Sequence, residues 1–233
     1  VYADRQAILD GWTPECRDGP RDRMAAPDSQ EQRGTTPAHI LRTAERLFAR
    51  KGLDEVSIRD ITAAADISIS SVYYHFGSKE RLILAILERR IAELNDRRAA
   101  LLAEIEDRTE PTVRDVISLL VIPTAEMAAD RRGGGADYVR FLGAVTSHRK
   151  YAPLIRQVSP FADEERQMLR RVAPNLSDDE REFRFALIKT IVNQVLGESG
   201  TGLRIWMQGS GLDDRTLADQ LIDFFTAAFT GSG

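Results

Sequence analysis

The sequence predicts an all-α protein: an N-terminal three-helix unit built around a helix-turn-helix, followed by a larger helical domain. Three observations carry that expectation. Apolar residues recur at three- and four-residue spacing from Thr36 almost to the C-terminus. Residues that cap helices open several of those segments, and no segment alternates with period two for a strand's length.

Residues 1–35 stand apart, with Pro14, Pro20, Pro27, Gly11, Gly19 and Gly34 among mixed charges and no sustained apolar period. Such a composition buries too little surface to offset the entropy of ordering, so a flexible arm is expected, with Met24 a candidate natural start. From Thr36, Ile40, Leu41, Ala44, Leu47 and Phe48 mark a first helix that Gly52 stops. Ser57 with Asp60 is a capping-box pattern, which starts a second, short helix near Ile58 and carries it to about Ala65. Asp66 and Ser68 interrupt it, and a third helix begins near Ile69. Two short helices joined by a few residues make a helix-turn-helix. Ser78 then caps a long helix through Leu82, Ile83, Ile86, Leu87, Ile91 and Leu94 to beyond Leu101.

Further helices are expected over 112–131, 136–148, 151–172, 178–196 and 212–229, broken by "GGG" at 133–135, "NLSDDE" at 175–180 and a Gly-rich stretch at 197–211. The last two have wide apolar faces. Phe185, Ile188, Val192 and Val195 line one, broadened by Phe183, Leu187 and Ile191, and Leu217, Leu221, Phe224, Phe225 and Ala228 line the other. Such faces bury either against the chain's own core or against the same helices of a second subunit.

Bulk numbers bound the class. The 233 residues, 42% hydrophobic and 29% charged, suit one large globular domain or two small ones. A net charge of −4 does not advertise a nucleic-acid binder, although a small reading module can ride on an acidic body. Cys16 is the sole cysteine, so no intrachain disulfide can form and a reducing cytoplasm is expected. The apolar runs at 82–87 and 119–122 fall far short of the roughly 18 residues of a membrane span, and the N-terminus lacks the apolar core of a signal peptide.

Enzyme chemistry finds no footing. "GESGTG" at 197–202 has Thr201 where a nucleophile elbow needs glycine, and it lacks the lysine of a phosphate loop. His39, His75 and His148 show no metal-ligand spacing. Neither a metal nor a cofactor is expected.

The informative stretch is "SISSVYYHFGSK", Ser68 to Lys79. One helix face cannot bury Tyr73, Tyr74, His75 and Phe76 together. Val72 and Phe76, four apart, suit the core; Tyr73, Tyr74 and His75 point elsewhere, with polar tips that suit phosphate oxygens. Ser68, Ser70 and Ser71 allow close approach to base edges, and Lys79 lies in the first turn of the next helix. Spacing alone leaves ordinary core aromatics as the other reading.

Residues 36–82, "TPAHILRTAERLFARKGLDEVSIRDITAAADISISSVYYHFGSKERL", resemble the DNA-binding domain of the tetracycline-repressor (TetR) family. The resemblance implies a dimeric, ligand-responsive regulator, by family habit a repressor, bound to a palindromic operator in double-stranded DNA. It places Arg59, Ser71, Tyr73, Tyr74, His75 and Lys79 at phosphate-contacting or base-adjacent positions, with Ser68, Ile69 and Ser70 as candidates for base readout. Two positions depart from the family pattern. Asp66 stands at the usual turn glycine, and Ile69 stands where a polar or basic residue is common, so contact with a thymine methyl replaces a hydrogen bond. These two are the only hints of an alternative, a helical interaction module that has lost DNA binding.

For residues 83–233 the resemblance implies an effector-binding and dimerisation domain, paired through the two final long helices. Residues 154–196 also resemble C-terminal domains that answer to fatty acids or acyl thioesters. Met127, Tyr138, Phe141 and Phe161 are candidates to line an apolar pocket.

Overall fold

Ten helices and no strand occur among the residues described by the computed structural model, which are 37–106, 110–130, 132–159, 161–197 and 213–230. The expected arm with Met24, and the Gly-rich stretch beyond Gly197, lie outside the described residues.

Local chemistry sets the first four helices. Helix α1 (Pro37–Lys51) buries Ile40, Ala44 and Phe48 and ends where Gly52, at φ 92°, donates to the Phe48 carbonyl. Helix α2 (Ile58–Ala65) starts on a complete capping box: Asp60 N–H donates to Ser57 Oγ at 3.2 Å, and Ser57 N–H to Asp60 Oδ2 at 2.8 Å. Helix α3 (Ile69–Phe76) follows a three-residue turn. Helix α4 (Lys79–Glu106), about 42 Å long at 1.5 Å per residue, is capped by Ser78.

The remainder comprises α5 (Val113–Ala129), α6 (Gly135–Ser147), α7 (Ala152–Val158), α8 (Phe161–Val172), α9 (Asp178–Gly197) and α10 (Asp214–Thr230). The sequence predicts one helix over 151–172, but two form. Ser159 precedes Pro160, whose ring disfavours helical backbone in its predecessor, and Ser159 sits at φ −113°, ψ 75°.

Two cores result. One is formed by α1 to α4 and is completed by Tyr138, Phe141, Leu142 and Val145 of α6. The other gathers α5, α9 and α10 with parts of α4 and α8. Helix α6 therefore belongs to the packing of the N-terminal unit as well as to the C-terminal body. A buried ion network reinforces that junction. Glu45 of α1 meets Arg89 at 2.7 Å and Arg90 at 3.2 Å, and Arg90 also donates to the Gly133 carbonyl at 2.7 Å. The glycine turn leading into α6 is sterically required: a Cβ on Gly135 would stand 2.1 Å from the Met127 carbonyl oxygen.

Candidate nucleic-acid interface and ligand cavity

Helix α3 buries only Val72 fully, with Phe76 packed partly against the same core. Its other aromatics lie outside: Tyr73 is 51% exposed, Tyr74 87%, and His75 stacks edge-on against Tyr74 at 5.1 Å. Leaving large side chains in water forgoes on the order of 2 kcal/mol each. Ile69, at the helix start, is 43% exposed. These residues form one solvent-facing surface with Ser70, and Arg59 is exposed on neighbouring α2.

Three sequence candidates have structural duties. Ser68 is the N-cap of α3: its Oγ accepts from Ser71 N–H at 3.3 Å and lies 2.8 and 2.9 Å from the hydroxyls of Ser70 and Ser71. Ser71 is half-buried beneath this cluster. Lys79 is turned inward, donating to the Leu53 carbonyl with its ammonium 5.6 Å from the Phe48 ring centroid, and burial lowers its pKa. As placed, it ties α4 to the loop after α1.

Asp66 takes the left-handed conformation that the turn requires, at φ 53°, ψ 51°, and its N–H caps α2 on Thr62. An L-residue there costs about 1–2 kcal/mol, less for a short polar side chain. The departure from glycine strains the helix-turn-helix without dismantling it.

In the C-terminal body a cavity of about 480 Å³ opens between α4, α5, α6, α7, α8 and α9. Its walls include Leu120, Leu142, Phe185 and Val192, and its charged residues include Arg98, Arg166 and Lys189. None of the four expected pocket residues lines it. Tyr138 and Phe141 belong to the N-terminal core, Phe161 is buried in α8, and Met127 packs half-buried between the two cores. The residue after Phe161, Ala162, does reach the cavity.

The residues expected at a subunit interface divide in the same way. Phe185, Ile188, Val192, Leu217, Leu221 and Phe225 are buried within the protomer, and Val195 packs half-buried against the same core. Phe185 and Val192 face the cavity. Of the expected set only Phe224, 63% exposed, and Ala228 face outward. The outward apolar surface on α9 is instead Phe183, 67% exposed, with Leu187.

The charged cavity residues escaped the sequence analysis, although a signal existed. Arg98 falls four residues after Leu94 and seven after Ile91, on the buried stripe of α4. Glu165 lies between Phe161 and Leu169, and Lys189 between Phe185 and Val192, at the same apolar spacing. A charge at a stripe position has to find a buried partner.

Among the described residues, no group of three His, Cys, Asp or Glu side chains is placed to hold a metal ion, and no helix is long and apolar enough to cross a membrane.

Comparisons with known proteins agree with this architecture. The family model for bacterial regulatory proteins of the tetR family matches residues 40–86, and that for the tetracyclin repressor-like C-terminal domain matches 118–228. The HTH-type transcriptional repressor NicS of Pseudomonas putida is 30% identical over 90 residues, 39% of this chain and 42% of that protein. The repressor KstR2 of Mycolicibacterium smegmatis is 37% identical over 62 residues, 27% of this chain and 30% of its own. The matched region thus spans about two fifths or less of these curated relatives.

Two solved structures share the fold. A TetR-family regulator from Bordetella parapertussis aligns with TM-score 0.57 and 20% identity, covering 81% of this chain and 93% of that one. The fatty acid degradation regulator FadR from Bacillus halodurans aligns with TM-score 0.55 and 16% identity, covering 82% and 94%. With a matched reading head, a matched C-terminal domain and the helix order between them, the chain belongs to the tetR family of bacterial regulatory proteins.

Proposed function

We propose that the protein is a homodimeric transcriptional repressor that binds a palindromic operator in double-stranded DNA through α3 and is released by a small amphipathic ligand in the C-terminal cavity. The observation that carries this is the surface of α3, where Ile69, Ser70, Tyr73, Tyr74 and His75 face solvent together. A recognition helix presents such residues to the major groove while its neighbours hold the backbone. DNA as partner supports a cytoplasmic location, and this reading assigns the protein no catalytic step.

Dimerisation would use the outward strip of Phe183 and Leu187 on α9 with Phe224 and Ala228 on the adjoining α10, two helices from each copy making a four-helix contact. A fatty acid or acyl thioester as ligand is suggested by the resemblance of residues 154–196, and the fold-related FadR is a fatty acid degradation regulator. The alternative of an interaction module that has lost DNA binding has less support, since Asp66 accepts the turn and Ile69 remains free to meet a thymine methyl.

Titration of a labelled operator duplex tests the assignment. Tyr73→Ala and Tyr74→Ala should each lose about tenfold in affinity, near 1.4 kcal/mol, with sedimentation unchanged. Unaltered affinity in both would remove α3 from the interface.

A further inference from the structure

The ligand cavity and its ion partners carry four cations, Arg98, Arg156, Arg166 and Lys189, against three carboxylates, Asp163, Glu165 and Glu182. Lys189 of α9 and Arg98 of α4 share a single carboxylate, Glu165 of α8. Lys189 Nζ lies 2.7 and 3.0 Å from the two Glu165 oxygens, and Arg98 Nε lies 3.5 Å from one of them. Glu165 is fully buried and Arg98 nearly so. Arg98 also donates to Asn95 Oδ1 at 3.2 Å, a neutral group. The next cation around the wall, Arg166, is already matched: it is bidentate to Glu182 at 2.7 and 2.9 Å and reaches Asp163 at 3.3 Å.

Buried Arg98 and half-buried Lys189, whose side chain is 24% exposed, therefore face one carboxylate between them, beside apolar walls. Partial desolvation of a cation that shares its counter-charge is unfavourable, and the protein bears that cost at Lys189. Burial, followed by repulsion from Arg98, pulls its ammonium down to about 8. On another wall the polar groups satisfy one another, Asn193 donating to Thr146 at 3.3 Å and Thr146 to the Leu142 carbonyl at 2.7 Å.

We propose that the cavity binds an amphipathic monocarboxylate, with its carboxylate seated between Arg98 and Lys189 and its apolar part against Ile91, Leu120, Leu142, Ile155, Phe185 and Val192. The assignment rests on the reading of this cavity as the effector site, and it separates two ligand classes left open above. A free acid supplies the one negative charge the site lacks, in a charge-assisted pair. A coenzyme A thioester has lost that carboxylate and brings several phosphate charges with it. The bound acid also holds Lys189 protonated, so affinity falls as pH rises through about 8. The charged groups facing Lys189 are Glu165 and Arg166 from α8 and Arg98 from α4.

Calorimetry on the full chain without DNA tests this, using octanoate, dodecanoate and 4-phenylbutyrate against the matching primary amides and coenzyme A thioesters. At least one acid should bind about tenfold or more tighter than its amide and its thioester. Lys189→Gln, which leaves a neutral Arg98–Glu165 pair and a fold checked by circular dichroism, should erase that preference and flatten the pH dependence while sparing amide binding. Glu165→Gln should strengthen acid binding. No binding of any acid, equal affinity for acid and amide, tighter binding of the thioester, or an unchanged acid preference in Lys189→Gln would each overturn the proposal. With DNA absent, failure here leaves operator binding untouched, and failure of operator binding leaves this result standing.

Discussion

The ring of Phe48 on α1 lies 6.0 Å from that of Phe141 on α6, and the residue after Phe141, Leu142, lines the ligand cavity. One helix thus touches both the N-terminal core and the cavity proposed for the effector. Under the proposed function, a shift of α6 on ligand binding would be passed to α1 through this ring pair, with the Glu45–Arg90–Gly133 tie holding the same junction. Phe141→Leu loosens the contact for about 1–2 kcal/mol of stability. It should leave ligand and operator affinities separately near wild type, while the loss of operator affinity caused by saturating ligand shrinks several-fold. The check is DNA affinity measured with and without ligand; an undiminished ligand effect would route the coupling elsewhere.

The Tyr138 hydroxyl is fully buried and has no hydrogen-bond partner among the described residues. Burial raises its phenol well above the ordinary tyrosine range. A buried hydroxyl left unpaired costs about 1–3 kcal/mol, so Tyr138→Phe should hold or raise stability by up to about 1 kcal/mol in urea unfolding. A clear loss would mean that the hydroxyl has a partner in solution.

Neighbouring aromatics on α10 should behave oppositely. Phe224 faces outward and Phe225 is buried in the core. Phe224→Asp should give folded monomers in sedimentation, whereas Phe225→Asp should lose its thermal transition altogether. A folded Phe224→Asp dimer would move the interface off this strip.

Lys189 makes stability depend on alkaline pH. Its ammonium titrates near 8 in the fold, against 10.5 for a free lysine. Between those values the unfolded chain keeps the proton that the folded chain has released, so stability should rise as pH climbs from about 8 to 10. In Lys189→Met that rise should be reduced. An identical pH profile in the variant would place the shifted group elsewhere.

What the sequence revealed divides by range. The starts at Ser57–Asp60 and Ser78, the stop at Gly52 and the outward turn of Tyr73 and Tyr74 follow from neighbours within one helical turn, and all are found. The partner of a buried face is not local information. The stripe of Phe185 and Val192 was legible, but not that α9 turns it toward its own cavity. Lys79 is legible as a first-turn residue of α4, but not that its ammonium donates to a carbonyl 26 residues earlier. Arg98, Glu165 and Lys189 come from three separate helices and meet only once these have packed.

Selection of bound sequences from a random duplex library by the purified protein, at near-physiological salt and without ligand, tests the central claim most directly. The exposed face of α3 and a two-fold dimer predict an enriched palindrome whose half-sites lie one helical turn apart, about 10 base pairs centre to centre or a multiple of it. Folded, dimeric protein that enriches no motif would contradict the assignment of α3 as a DNA-reading helix.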